Sequence, residues 1–440
     1  MTEMNGSFAT AVGQDETSLG QVSKTAAVPL LVTLIAVTMF LPEESSFSIG
    51  PLRLTVARLF MLLAAPATLY RFAQLFSRPD YRFVWDDALI PLFGAWMIIA
   101  PSLAESLDRG LAFGGSSALE FCIPYIAVRV FDTQSGPALK ITKTILYGIS
   151  VIGLLGLFDW ATNEWFIRNV VSKVTGYAKI WDHATQYDWR LGLLRAASTI
   201  EHPILLGTVC AFGILLSTAY HGVSRWFITA GCLIGLMTAL SSAPAGALVI
   251  GMALILYDRI LRGFSLRWII LLSGILLVLT VIFIGSSNPW ALIFSKICFD
   301  PTTADYRLME WRLLWPFVME SPFVGYGTGQ ESLTDDLLPS IDSLWLRNAV
   351  FLGIPGMVLS AMVFLGCASI KIDTANPNLN LTPDEKSLAL ALNVVNWVSM
   401  FVATTTFYWG AIWILTGFLL GVRAHLGNLA VIGTGNNLKA

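Results

Sequence analysis

The sequence predicts an all-α polytopic membrane protein of about twelve transmembrane helices, with two long loops that carry short amphipathic helices. Three observations predict it. Hydrophobic residues make up 55% and charged residues 13% of the 440 positions, against the roughly 25% charge of an ordinary soluble domain. A compact fold exposes much of its own surface, so lipid has to be the solvent for most of this chain. Apolar runs long enough for the roughly 20 residues that cross hydrocarbon recur along it. Basic residues favour alternate connections, as the positive-inside rule requires.

The expected spans are 26–42, 54–76, 86–103, 110–130, 141–159, 202–220, 225–242, 243–261, 266–286, 344–369, 387–406 and 409–426. Only "SSAPAG" (241–246) separates the seventh from the eighth, where Pro244 and Gly246 suit a tight turn. With the amino terminus inside, the inner connections hold Lys24, Arg71, Arg78, Arg82, Arg129, Lys140, Lys143, Arg225, Arg259, Arg262, Arg267, Lys371, Lys386, Arg423 and Lys439. The short outer ones hold only Arg53 and Arg109. Both termini (1–25 and 427–440) are then cytoplasmic, and a single transmembrane domain fills 26–426. Two long loops, about 160–201 and 287–343, lie outside, in a bacterium the periplasm. The first 25 residues lack the basic start and cleavage site of a signal peptide, so the first helix is expected to remain as an anchor. The net charge of −2 points to no nucleic acid. Five cysteines lack metal spacing; four fall in expected helices, as small buried hydrophobes do, and Cys298 stands alone in an outer loop.

Chemistry is expected at the outer face, because little soluble mass remains elsewhere. "LLRAASTIEHPILLGT" (193–208) enters the sixth span. Ser198 or Thr199 suits a helix cap, Pro203 a first helical turn, and Arg195, Glu201 and His202 lie at the interface. They make either a capped helix among headgroups or an anion-binding arginine beside a base. Residues 304–319 form an amphipathic helix. Arg307, Trp311 and Trp315 share one of its faces, Glu310 can pair with Arg307, and Pro316 bends or ends it. An interfacial aromatic belt and a site with arginine on phosphate and tryptophan on sugar both fit. "GYGTG" (325–329) is a turn whose backbone can approach a ligand. Asp342 and Ser343 suit the cap of the tenth span, and Arg347 either snorkels or holds an anionic substrate. Arg58 and Glu120 lie within spans and suit a structural ion pair. There is no nucleotide loop, dinucleotide fingerprint or zinc motif, no nucleophile elbow, and Asp335–Asp336 makes no convincing metal site.

At these clusters the sequence resembles the O-antigen ligase and Wzy-type polysaccharide polymerase superfamily. The resemblance rests on "RAASTIEHPILLG" (195–207), Arg307 with Trp311, "SPFVGYGTG" (321–329) and "DSLWLRNAVFLGIPG" (342–356), and on their order, spanning about 190–370. "SFSIGPLRLTVARLFML" (46–62) resembles exopolysaccharide-synthesis members. The resemblance implies inverting glycosyl transfer without metal or other cofactor, from a glycan on undecaprenyl pyrophosphate, at the outer face of the cytoplasmic membrane. It implies that Arg195 and Arg307 bind pyrophosphate, with Arg312 a weaker candidate; Arg347 is a further candidate for the anion, and Trp311, Trp315 and Tyr326 are candidates for stacking on sugar. Ligases tend to carry a histidine before the tenth-span equivalent; "LLPSIDSLWL" (337–346) has none, which favours a polymerase. The base stays open among Asp342, Glu201, His202 and Asp305. Expected partners are the lipid-linked glycan, membrane lipid, a flippase and a chain-length regulator. A ligase acting on lipid A-core, a lipid-linked oligosaccharide flippase and a non-catalytic assembly subunit are the alternatives.

Overall fold

The computed structural model describes residues 31–49, 52–78, 81, 83–130, 136–177, 188–297, 301–327, 341–365, 381–404, 406 and 410–436. Of the residues singled out above, Lys24, Arg82, Cys298, Asp335, Asp336, Lys371 and Lys439 lie outside them. The described chain runs α1 (Leu31–Phe40), β1 (Ser46–Ile49), β2 (Leu52–Thr55), α2 (Val56–Leu75), α3 (Asp86–Ala104), α4 (Leu107–Arg129), α5 (Gly136–Thr162), α6 (Phe166–Thr175), β3 (Trp189–Arg190), β4 (Leu193–Leu194), α7 (Pro203–Ser217), α8 (Val223–Thr238), α9 (Ser242–Ile260), α10 (Arg267–Gly285), α11 (Pro289–Ile297), α12 (Pro301–Glu320), α13 (Leu344–Leu365), α14 (Pro383–Ala403) and α15 (Gly410–Asn436). The strands form two antiparallel hairpins, with Ser46 opposite Thr55 and Trp189 opposite Leu194.

Each expected span holds an apolar helix. Among the described residues nine are long and apolar enough to cross a membrane, while α1, α7 and α8 are shorter. The protein is therefore an all-α, multi-pass membrane protein. Three differences from the expected helix boundaries bear on the site or the termini. The break between α8 and α9 falls at 239–241, with Leu240 at φ +45°, and Pro244 and Gly246 lie inside α9. Proline within the first turn displaces no intrahelical bond, so the turn expected at "SSAPAG" comes a few residues early. α12 does not end at Pro316 but runs on to Glu320. α15 continues past residue 426 to Asn436.

α7 lies at the centre, with every residue except Ile204 buried. α5, α8, α9, α14 and α15 pack around it. α15 is nearly as deeply enclosed, chiefly against α4, whereas none of the apolar stretch of α10 is covered by protein. Ionic groups inside the bundle are paired, as they must be where no water solvates them. Arg58 Nε donates to Glu120 at 2.7 Å, joining α2 to α4, as expected. Arg129 meets both oxygens of Asp87 at 2.7 and 2.8 Å, and Tyr125 donates to the same carboxylate. Arg423 pairs with Asp86 at 2.8 Å, tying α15 to the start of α3. Arg267 pairs with Asp258 at 2.8 Å at the foot of α10.

α13 is two helices joined at Gly353, whose φ of +71° and ψ of 177° are not helical. A broken helix leaves carbonyls and N–H groups without partners, and such groups must be satisfied when buried. The segment 321–327 satisfies them. Tyr326 N donates to Val350 O at 2.8 Å and Gly327 N to Phe351 O at 3.1 Å, while Ile354 N donates to Pro322 O at 2.7 Å. Trp96 Nε1 takes Leu352 O at 2.9 Å. The backbone of "GYG" thus approaches a broken helix, where the sequence suggested a ligand; Thr328 and Gly329 lie outside the described residues.

Candidate functional site

At one end of the bundle the non-helical segment 194–201 is buried throughout. One carboxylate organises it. Asp159, near the end of α5 and fully buried, accepts from the backbone N–H groups of Ala197 at 3.0 Å, Ser198 at 2.8 Å and Phe166 at 3.0 Å. Ser198 takes φ +57°, a left-handed conformation unusual for serine. Replacing Asp159 with alanine leaves two buried donors without an acceptor. It should lower the unfolding free energy by about 3 kcal/mol, measured as the thermal midpoint in detergent. An unchanged midpoint would show that the segment is held by something else.

This segment fixes Arg195. Its backbone N–H donates to Asp188 O at 2.8 Å, and its carbonyl accepts from Trp165 Nε1 at 3.0 Å. The side chain is 4% exposed. Nε donates to Ala239 O at 3.2 Å, at the break between α8 and α9, and Arg190 Nη1 takes the next carbonyl, Leu240 O, at 3.0 Å. Nη2 of Arg195 is buried without a hydrogen-bond partner among the described residues. Burial, and then the charge of Arg190, pull the guanidinium down to about 10, while Asp188 and Asp342 act the other way. It stays cationic at neutral pH with donor capacity unspent.

α12 and the start of α13 carry the other candidates. Arg307 is 4% exposed and Glu310, one turn on, is fully buried. Glu310 Oε1 accepts from the backbone N–H of Asp342 at 2.8 Å. Asp342 is half-buried just before α13, and its charge acts on both Arg195 and Glu310. Two parts of the chain more than a hundred residues apart therefore meet at Asp342. Trp311 and Trp315 lie side by side with ring centres 5.9 Å apart, as their spacing predicted. Trp315 is exposed and Trp311 half-buried. Arg347, on the first turn of α13, sits over the Phe351 ring at 5.2 Å.

The remaining candidates are placed differently. His202, rather than Ser198 or Thr199, caps α7: its Nδ1 accepts from Ile204 N at 3.1 Å. Pro203 follows at the first helical position, as expected. Glu201 is buried, with Oε1 accepting from Ala411 N at 3.1 Å at the start of α15. Its carbonyl accepts from Arg168 Nη1 at 3.1 Å, and Arg168 pairs with Glu44 at 2.6 Å. Glu201 thus joins α15 to the segments around α6 and α1. Asp305 and Arg312 are exposed on α12. Tyr326 OH donates to Glu320 at 2.9 Å. No cluster of metal-ligating side chains occurs among the described residues.

The family model described as O-antigen ligase matches residues 227–361. The chain carries an O-antigen ligase-type region. That region takes in α9 to α12, the break at Gly353 and the residues Arg307, Glu310 and Asp342; Arg195 and its buried segment precede it. The match bears out the resemblance to the ligase and polymerase superfamily over this part of the chain, and supports a ligase- or polymerase-type role in glycan processing. No curated protein matches the chain.

Asp159 and Glu310 are the residues that sequence reasoning missed. Nothing local marks Asp159, since the backbone it holds is 38 and 39 residues away. Glu310 was read as a partner of Arg307. Its place on the buried side of an amphipathic helix was the available signal.

Proposed function

We propose that the protein is a glycosyltransferase of the polymerase type, acting on a glycan carried by undecaprenyl pyrophosphate at the periplasmic face of the bacterial inner membrane. Both termini are then cytoplasmic. The observation that carries this reading is that the Asp342 charge acts on both Arg195 and Glu310, and Glu310 lies one turn from the buried Arg307. Arginine forks suit phosphate oxygens, and fixed cations stabilise charge that grows on a departing group. In the reaction an acceptor hydroxyl oxygen attacks the anomeric carbon as the bond from that carbon to the pyrophosphate oxygen breaks. The bond's electrons leave with the pyrophosphate, held by Arg195 and Arg307, and the anomeric configuration inverts. Asp342 takes the hydroxyl proton. It is preferred over Glu201 and His202, whose backbone acceptor bonds tie α15 and cap α7, and over Asp305, which stands exposed on α12, because the Asp342 charge acts on Arg195. The donor is already activated, so the reaction needs no nucleotide and no metal. Trp311 and Trp315 offer ring faces for the sugars. A flippase would deliver the donor, and a chain-length regulator would act on the product.

The ligase reading differs only in its acceptor, lipid A-core, and the O-antigen ligase match favours keeping it as the second reading. Purified protein incubated with the lipid pyrophosphate-linked repeat unit alone separates them. A ladder of products is expected of a polymerase. Product only after core lipid is added means a ligase, and no product under either condition rejects both.

A further inference from the structure

Glu310 stands at the centre of the site but has no part in the reaction above. It is the most completely buried acid there, at 0% exposed. One oxygen accepts the Asp342 N–H at 2.8 Å, and the other is buried without a hydrogen-bond partner among the described residues. An ionised carboxylate in such a place is costly, because one oxygen loses all solvation. The charges that act on it are Asp342, from the segment before α13, and Arg307, from its own helix. Arg195 reaches the same neighbourhood through Asp342. The Asp342 carboxylate repels a second negative charge, while Arg307 and the Asp342 N–H oppose that repulsion. Burial comes first and the Asp342 charge second, and together they push the Glu310 carboxyl up to about 8.

We propose that Glu310 is a positioning residue that works as a neutral carboxylic acid, anchoring Asp342 by its backbone N–H while adding no negative charge to the anion-binding site. This rests on the transferase reading above. A pyrophosphate brings two or more negative charges to Arg195 and Arg307. Ionised Glu310 would cancel the nearest of those cations and so weaken donor binding. The neutral acid keeps the anchor and leaves both guanidinium charges for the donor. Donor binding is then linked to one proton on Glu310, present below its pKa and lost as pH rises through it.

The sign of the effect follows. Between about pH 7 and pH 9 a single group titrating near 8 passes from mostly neutral to mostly ionised, so the donor KM should rise roughly tenfold with little change in kcat. Glu310→Gln is isosteric, cannot ionise and still offers a carbonyl oxygen to the Asp342 N–H. It should be as active as the wild type at pH 7, and its donor KM should change less than about twofold over the same range. Glu310→Ala removes the anchor and should lower kcat at every pH. The experiment is steady-state transfer by purified, detergent-solubilised protein from a lipid pyrophosphate-linked repeat unit at both pH values. The same alkaline rise in E310Q overturns the proposal. So does an E310Q protein that inserts and unfolds normally yet is inactive at pH 7, because ionisation or proton transfer at this carboxyl would then be required. Wild-type protein without product at either pH, with or without added core lipid, overturns the transferase reading itself.

Discussion

Arg195→Ala should lower the rate of glycan transfer by about a hundredfold to a thousandfold, the loss expected when a fixed donor to a developing anion is removed. Arg307→Ala should do the same. Both guanidinium groups are almost wholly buried, and Arg195 keeps an Nη2 that no described residue uses. Each replacement removes one of the two cations proposed to hold a departing pyrophosphate. Lysine should rescue little, because a single ammonium cannot reproduce the two-pronged fork or reach Ala239 O in the same geometry. Arg312→Ala serves as the control: it lies exposed on the same helix as Arg307 and should change the rate less than about threefold. The measurement is polymer formed in cells lacking the native copy, with the amount of membrane-inserted protein checked alongside. Polymer of full length and yield from either buried-arginine variant would reject the assignment of that residue.

Gly353→Ala should destabilise the fold by about 3 kcal/mol or more. A Cβ there would stand 2.3 Å from Phe323 O, and the residue holds φ +71°. The clash is with backbone, which cannot swing away as a side chain tip would. Gly325 lies on the other side of the same junction, with φ +70° and a Cβ position 2.5 Å from Val350 O, so Gly325→Ala should cost a similar amount. The two losses should not add, since either one separates segment 321–327 from the broken helix. Thermal unfolding in detergent reads both. A Gly353→Ala midpoint equal to that of the wild type would mean that the break does not depend on this contact.

The helices were legible because hydrocarbon imposes a simple demand, a run of apolar residues of sufficient length. The Arg58–Glu120 pair was legible for a related reason, since an isolated charge in a span needs a partner. The amphipathic helix expected over 304–319 is found at Pro301–Glu320, because its periodicity is local. The site was legible only as a set of segments. Arg195, Arg307 and Asp342 stood out as polar residues at span ends, yet what fixes them depends on contacts with no local trace. Asp159 looks like an ordinary acid near a helix end. His202 and Glu201 looked like bases and act as acceptors for backbone donors. Gly353 sits in an apolar run that reads as one continuous span, and the break appears only when the segment that fills it is known.

The short central helix sets the depth at which chemistry can occur. α7 has 15 residues, about 22 Å of helix, against roughly 30 Å of hydrocarbon. On the proposed topology, with α7 reaching the inner surface, the buried segment before it, with Arg195 at its start, would lie below the level where a full-length span would surface. A substrate tethered to a long isoprenoid chain gains from that recess. Lifting such a chain out of lipid costs about 0.8 kcal/mol for every methylene exposed. A phosphate clamp sunk toward the acyl chains lets the tail stay dissolved while the sugar end reaches the aqueous side. The protein then has no need of a groove for the tail. On the proposed function, the bilayer would serve as that half of the binding site, and its thickness would become a determinant of activity.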